Sequence, residues 1–171
     1  MKNRIITIVA LAITIISCNQ KNKQEETVKI ESTTEVVGQS SFSIDEIVKN
    51  YLAIKNSLAT DDSDAAADAG KALSETMAKT GMEKVSSDQM EAYMSIADDV
   101  KEHAEHIGDN GGKIEHQREH FVTLSKDMND LIQLFGTNQK LYLDFCPMAD
   151  NNNGAVWISE TKEITNPYFG K

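Results

Sequence analysis

Val100-Lys101-Glu102-His103-Ala104-Glu105-His106-Ile107-Gly108-Asp109-Asn110-Gly111-Gly112-Lys113-Ile114-Glu115-His116-Gln117-Arg118-Glu119-His120-Phe121 places two helical patterns on either side of a glycine-rich turn. Apolar residues recur at three and four positions on both sides, the period of an amphipathic helix. Read backwards, the first pattern extends to Ser86 or Ser87, with Met90, Tyr93, Ala97, Val100, Ala104 and Ile107 on one face. Read forwards, the second runs from about Lys113 to Phe135 and buries Ile114, Phe121, Leu124, Met128, Leu131 and Phe135. A five-residue turn between two long helices favours antiparallel neighbours.

Two more helices precede this pair. Ser43, with Glu46 at the capping-box position, opens a helix whose stripe is Ile44, Ile47, Tyr51, Ile54 and Leu58. Asp61 to Asp64 opens the next, with Ala65, Ala69, Ala72, Leu73, Thr76 and Met77 expected inward and its small residues allowing close helix approach. Asp61, Asp62 and Asp64 lack a calcium loop's sharp-turn glycine, since Ala67 stands in its place, so they read as capping residues. After the helices, Leu141–Phe145 and Ala155–Ile158 have strand composition around an Asn153-Gly154 turn signal. The expected fold is all-α, an antiparallel up-and-down four-helix bundle with a small C-terminal hairpin or extended flap. With only 2 Pro and 9 Gly, the chain does not read as a turn-rich sandwich or barrel.

The front of the chain carries an address. Lys2 and Arg4 precede an apolar run from Ile5 to Ile16, too short to span a bilayer but the right length for a secretory signal. Ile15-Ile16-Ser17-Cys18 resembles a bacterial lipobox, which makes Cys18 the expected lipidated residue. Residues 1–17 are thus read as a signal peptide and 18–42 as the lipidated cysteine with a polar, disordered tether. The helical domain occupies 43–171. The expected location is the cell envelope, facing the periplasm, with the outer membrane favoured and a lipid anchor as the sole membrane contact.

Acidic residues outnumber basic ones 27 to 17, for a formal charge of −10. A phosphate backbone needs clustered Lys and Arg, so nucleic acid is not an expected partner. No nucleophile elbow, phosphate loop or HExxH sequence appears, and no carboxylate pair is singled out for acid–base work. The chain does not read as an enzyme.

Its chemistry-bearing residues fall into two groups. All four histidines, His103, His106, His116 and His120, flank the glycine turn, so the two pairs lie near one end of a helix hairpin. On a helical wheel His103 and His120 stand at the edge of the core stripe, His116 lies further out, and His106 points nearly away. The second group is Cys146-Pro147-Met148, whose thiolate and thioether favour soft ions such as Cu(I). With the leader cleaved before Cys18 and Cys18 lipidated, Cys146 is the sole remaining free thiol. Met77, Met90 and Met128 fall on apolar stripes and read as core.

The ordered set His103–Ile107, Ile114–Phe121, Leu124-Ser125, Leu141-Tyr142, Cys146–Ala149, Trp157–Ser159 and Asn166–Gly170 resembles a domain of unknown function found in Gram-negative lipoproteins. The same domain appears at the C-terminal end of some periplasmic adaptor subunits of copper and silver efflux pumps. The resemblance covers about residues 43–171. Cys146-Pro147-Met148 is also similar to the Cys-Pro-Met-His-Pro core of short heavy-metal-binding domains, although Ala149 and Asp150 replace the His-Pro here. The family pattern continues after the glycine with Met-Leu-x-Cys-Gly, where this sequence has Lys171. The resemblance implies a lipid-tethered helical domain connected with heavy-metal handling. The expected function is copper-type ion binding for sequestration or relay to efflux. Its expected ligands are Cys146 and Met148, then His120 and His103, with His116 and His106 peripheral. Cu(I) is the expected ion, with zinc and silver as alternatives. A competing expectation is an interaction module that docks on an efflux adaptor or another envelope complex without metal.

Overall fold

The structure is a computed structural model and describes residues 42–171. The signal peptide, Cys18 and the tether, apart from Phe42, lie outside the described residues. Four helices pack together: α1 Asp45–Ala59, α2 Ser63–Lys79, α3 Ser87–Asp109 and α4 Ile114–Phe135. A single 3₁₀ turn, Met82–Lys84, joins α2 to α3. Two short strands follow, β1 Tyr142–Cys146 and β2 Ala155–Ser159, paired antiparallel with Cys146 opposite Ala155 and Tyr142 opposite Ser159. Among the described residues no helix is long and apolar enough to cross a membrane.

The expected stripes of α1, α3 and α4 supply most of the core. Ile47, Tyr51, Ile54 and Leu58 share one buried core with Val100, Ala104 and Ile107 of α3 and Phe121, Leu124, Met128 and Leu131 of α4. Met90, Ala97, Ile114 and Phe135 are only partly buried at its margin. The cap of α1 falls one position later than the expected Ser43: Ile44 is the capping residue, and Ser43 Oγ accepts from the Asp45 amide. Asp62 caps α2 by accepting from the Ala65 amide at 3.0 Å.

Helix α2 is rotated from the expected orientation. Ala66, Ala67, Gly70, Leu73 and Met77 are buried, Ala65, Ala69 and Thr76 are partly covered, and Ala72 is exposed. The determining contact is a glycine crossing. A Cβ on Gly70 would lie 2.8 Å from both Ala104 O and Gly108 N, and one on Gly108 would meet Lys71 Cγ at 2.9 Å. Backbone meets backbone there, which an alanine stripe alone does not encode.

The hairpin closes differently from a two-residue Asn153-Gly154 turn. Residues 147–154 link the strands, with Asp150, Asn151 and Asn152 at φ of 50°, 54° and 69° and Gly154 at 87°. Asp and Asn tolerate this left-handed region better than other L-residues, and Pro147 has no amide to extend the ladder. The sheet lies on α4 and α1. Tyr51 pins it there: its buried hydroxyl accepts from the Ile158 amide at 3.0 Å and lies 2.9 Å from Ser125 Oγ. Burial holds that phenol well above its ordinary pKa. The fully buried Lys55 pairs with Glu160 just past β2 at 2.9 Å. Arg118 holds the tail by donating to Pro167 O, Leu58 O and the Asp61 carboxylate at 2.9, 3.1 and 2.7 Å.

Candidate metal centre

The turn after α3 returns the chain along its own flank, and α3 packs between α2 and α4. Glu105 and Gly108 point to α2, where Glu105 accepts from Ser74 Oγ at 3.1 Å. His103 and His106 occupy the opposite flank, toward α4. On α4, His116 and His120 are four residues apart and therefore share one face.

All four imidazoles meet at this seam. His106, His116 and His120 each offer a ring nitrogen, and these three atoms lie within 4.8 Å of one another. The His106 ring stacks on His120 with centroids 4.3 Å apart and planes 4° apart. His116 stands edge-on to His120 at 4.7 Å. His103 joins from below, its Nδ1 3.1 Å from His120 Nδ1, so one nitrogen of that pair donates and the other accepts.

Carboxylates flank the outer rings. His116 Nδ1 lies 3.1 Å from Glu119 Oε2, and His106 Nε2 lies 4.0 Å from Glu102 Oε1. An ionised carboxylate only accepts, so Nδ1 of His116 carries the hydrogen and its Nε2 keeps a lone pair for a ligand. Burial lowers the His120 pKa, and the neighbouring His106, His116 and His103 lower it further against the pull of Glu119. The central ring thereby favours its neutral form, the form that ligates metal.

The seam continues into two acids, Asp99 on α3 and Asp127 on α4. Asp127 is seven residues past His120, and burial, then Asp99, raise its pKa against the pull of His103. Its Oδ2 is buried and has no hydrogen-bond partner among the described residues. The signal was present in the spacing, since Asp99 precedes His103 by four on the flank that faces Asp127.

Sulfur is placed elsewhere. Cys146 is buried at the end of β1, near the buried phenol of Tyr168, and Met148 is 62% exposed on the connection between the strands. At 100° per residue, Arg118 and Ser125, which meet the tail and α1, stand nearly opposite His116 and His120 on α4. The hairpin therefore packs on one side of α4 and the imidazoles gather on the other. Cys146 does not join the three-histidine group, so the expected convergence of sulfur and imidazole is replaced by an all-nitrogen rim. His106, expected at the periphery, lies within it. The wheel angle measured its distance from the core stripe but not its side, and the side it occupies is that of α4.

No curated protein and no solved structure matches this chain. Residues 47–140 match a family model described as a protein of unknown function, DUF3347. That span holds α2, α3, α4, nearly all of α1 and every histidine, and it stops before Cys146. Because the match covers more than half of the sequence, the chain belongs to the DUF3347 family.

Proposed function

We propose that this chain is a non-enzymatic metal-binding lipoprotein of the cell envelope whose ligands are His106, His116 and His120. The carrying observation is the approach of three imidazole nitrogens to within 4.8 Å of one another. Imidazole suits copper, zinc and nickel, and nitrogen-only sites bind Cu(II) most strongly among these divalent ions. The cargo is therefore a copper-type ion in its divalent state at this rim, with zinc as competitor. His103 acts through His120, orienting its ring by the Nδ1 contact. The reading takes the four helices as an antiparallel up-and-down bundle that exposes the rim at one end. Export, the Cys18 lipid anchor and a periplasm-facing position rest on Lys2, Arg4, Ile5–Ile16 and the lipobox-like ending. Sequestration, or relay to an efflux adaptor, follows from a tethered domain whose His106 and His116 side chains are 48% and 44% exposed, within reach of incoming ions.

Titrating Cu(II) and Zn(II) into the purified full chain tests this. His106→Ala, His116→Ala and His120→Ala should each weaken binding at least about tenfold, and His103→Ala by less. Cys146→Ser should leave divalent affinity unchanged. Wild-type affinity in the triple alanine variant, with helical content retained, overturns the assignment. A docking role has its own support in Phe145, Met148, Ile164 and Phe169, each more than half exposed on the hairpin and tail. Under that reading, changes to these side chains abolish association with an adaptor while metal affinity stays intact.

A further inference from the structure

A cavity of about 260 Å³ opens between the C-terminal part of α2 and the first half of α3. Its buried side is apolar, with Met77 and Tyr93 both belonging to the core. Met82 and Met94 also line it, each 51% exposed, and Asp98 and Lys101 stand further along α3. The volume is below the roughly 300–1,000 Å³ usual for small-molecule pockets and suits a pair of side chains. Thr80 also borders a second cavity, of about 270 Å³, whose lining includes Phe42 and Ser43. The Phe42 ring lies 5.3 Å from that of Tyr93. The described chain therefore begins beside the methionine groove.

We propose that this groove is an intramolecular docking site for Val36 and Val37, in the segment that leads to Phe42. Between Ile30 and Phe42 the sequence offers these two apolar residues and no others. Five Cα steps separate Val37 from Phe42, up to about 17 Å of extended chain, enough to cross the cavity beside Thr80 and enter the groove. Successive side chains of an extended chain point opposite ways, so one valine faces the α2 wall and the other the α3 wall. The unbranched, adaptable stems of Met82 and Met94 close over such a guest. Extended, Glu35 to Val37 cover roughly 10 Å, against about 12 Å of helix from Tyr93 to Lys101, so Glu35 comes to the Lys101 end. Apolar contact carries the docking. Asp98 in the same lining, and Glu105 already 3.8 Å from the Lys101 ammonium, leave an ion pair with Glu35 little to add. Docking takes residues 35–41 out of the tether, shortening its reach by up to about 24 Å and drawing a Cys18-anchored domain toward its membrane. That consequence rests on the anchor reading; the docking rests neither on it nor on the imidazole rim.

The test uses the full chain carrying Cys18→Ser and Cys146→Ser, so that introduced thiols pair only with each other. Under mild oxidation, Val37→Cys with Met94→Cys should form an intrachain disulfide at least about tenfold faster than Ser32→Cys with Met94→Cys, because docking raises the local concentration of the first pair. Val36→Ser with Val37→Ser should move the methyl resonances of Met82 and Met94 together and leave Met128 in place. Equal rates for the two cysteine pairs, or unmoved Met82 and Met94 methyls, overturn the proposal. A disulfide joining two chains assigns the groove to a second copy, and methyl shifts that follow changes in Ile5–Ile16 instead assign it to the leader; either result overturns the proposal as well. Should Met94→Cys cost helical content, the methyl shifts decide alone, since the valine changes leave the helical domain intact. All readouts should survive His106→Ala, His116→Ala and His120→Ala, so failure of the rim assignment leaves this test unaffected.

Discussion

His120 is the one ring in the rim that touches the other three, and this position governs how it titrates. Burial and the three neighbouring imidazoles hold its folded pKa below the ordinary value of 6.5. The unfolded chain therefore takes up a proton at His120 before the folded chain does, and stability falls as pH drops. The contribution is present above pH 6.5 and is lost through the interval between that value and the lower folded one. In chelator-treated buffer, the melting temperature should decline from pH 7 to pH 5, and His120→Gln should flatten that decline. A profile unchanged by His120→Gln would show that the neighbours do not bear on this ring. Metal binding should weaken in the same direction, because protons compete with the ion for imidazole. The four histidines were legible as a group, since the glycine turn forces their helix ends together. The membership of His106 was not, because wheel geometry ranks residues by depth and metal ligands are selected by lateral reach. For Asp99 and Asp127 the spacing from the histidines is legible in the sequence, but the burial of Asp127 Oδ2 is not, because it is set by packing.

At the scale of elements, the α2–α3 contact is a crossing of backbone on backbone. With Gly70 against the backbone of Ala104 and Gly108, any side chain there must push two helices apart. Gly70→Ala should destabilise the chain by about 1–3 kcal/mol, measured as a lower urea midpoint with an unchanged slope. The same change at solvent-facing Gly112, where no atom lies within 4 Å of an added Cβ, tests a different cost, that of its left-handed φ of 79°. Helices α1, α3 and α4 were readable because large apolar residues recur against charged ones. The face of α2 was not, since its many alanines give little contrast between inside and outside and the decisive residue has no side chain. The hairpin was legible in its strands and not in its turn: an Asn-Gly pair signals a tight reversal, but the Asp150–Asn152 run takes up left-handed geometry first.

At the scale of the whole molecule, α4 is a partition. One side carries the hairpin and tail, held by Tyr51, Lys55 and Arg118, and the other carries the imidazoles. The soft donors of Cys146-Pro147-Met148 and the family resemblance led to the expectation that sulfur would join the histidines. The chain instead commits β2 to the α1–α4 side, because Trp157, Ile158 and Tyr168 need the same core as Phe121 and Tyr51. Hydrophobic demand outweighed the donor pattern. The glycine crossing has a last consequence along the length of α2. Clamped near Gly70 and hollow beside Met77, that helix behaves like a clothes-peg, stiff at the spring and loose at the lips. Amide exchange should accordingly be slowest around Ala67–Lys71 and accelerate toward Ala78 and Thr80; a uniform rate along α2 would mean that the jaws do not open.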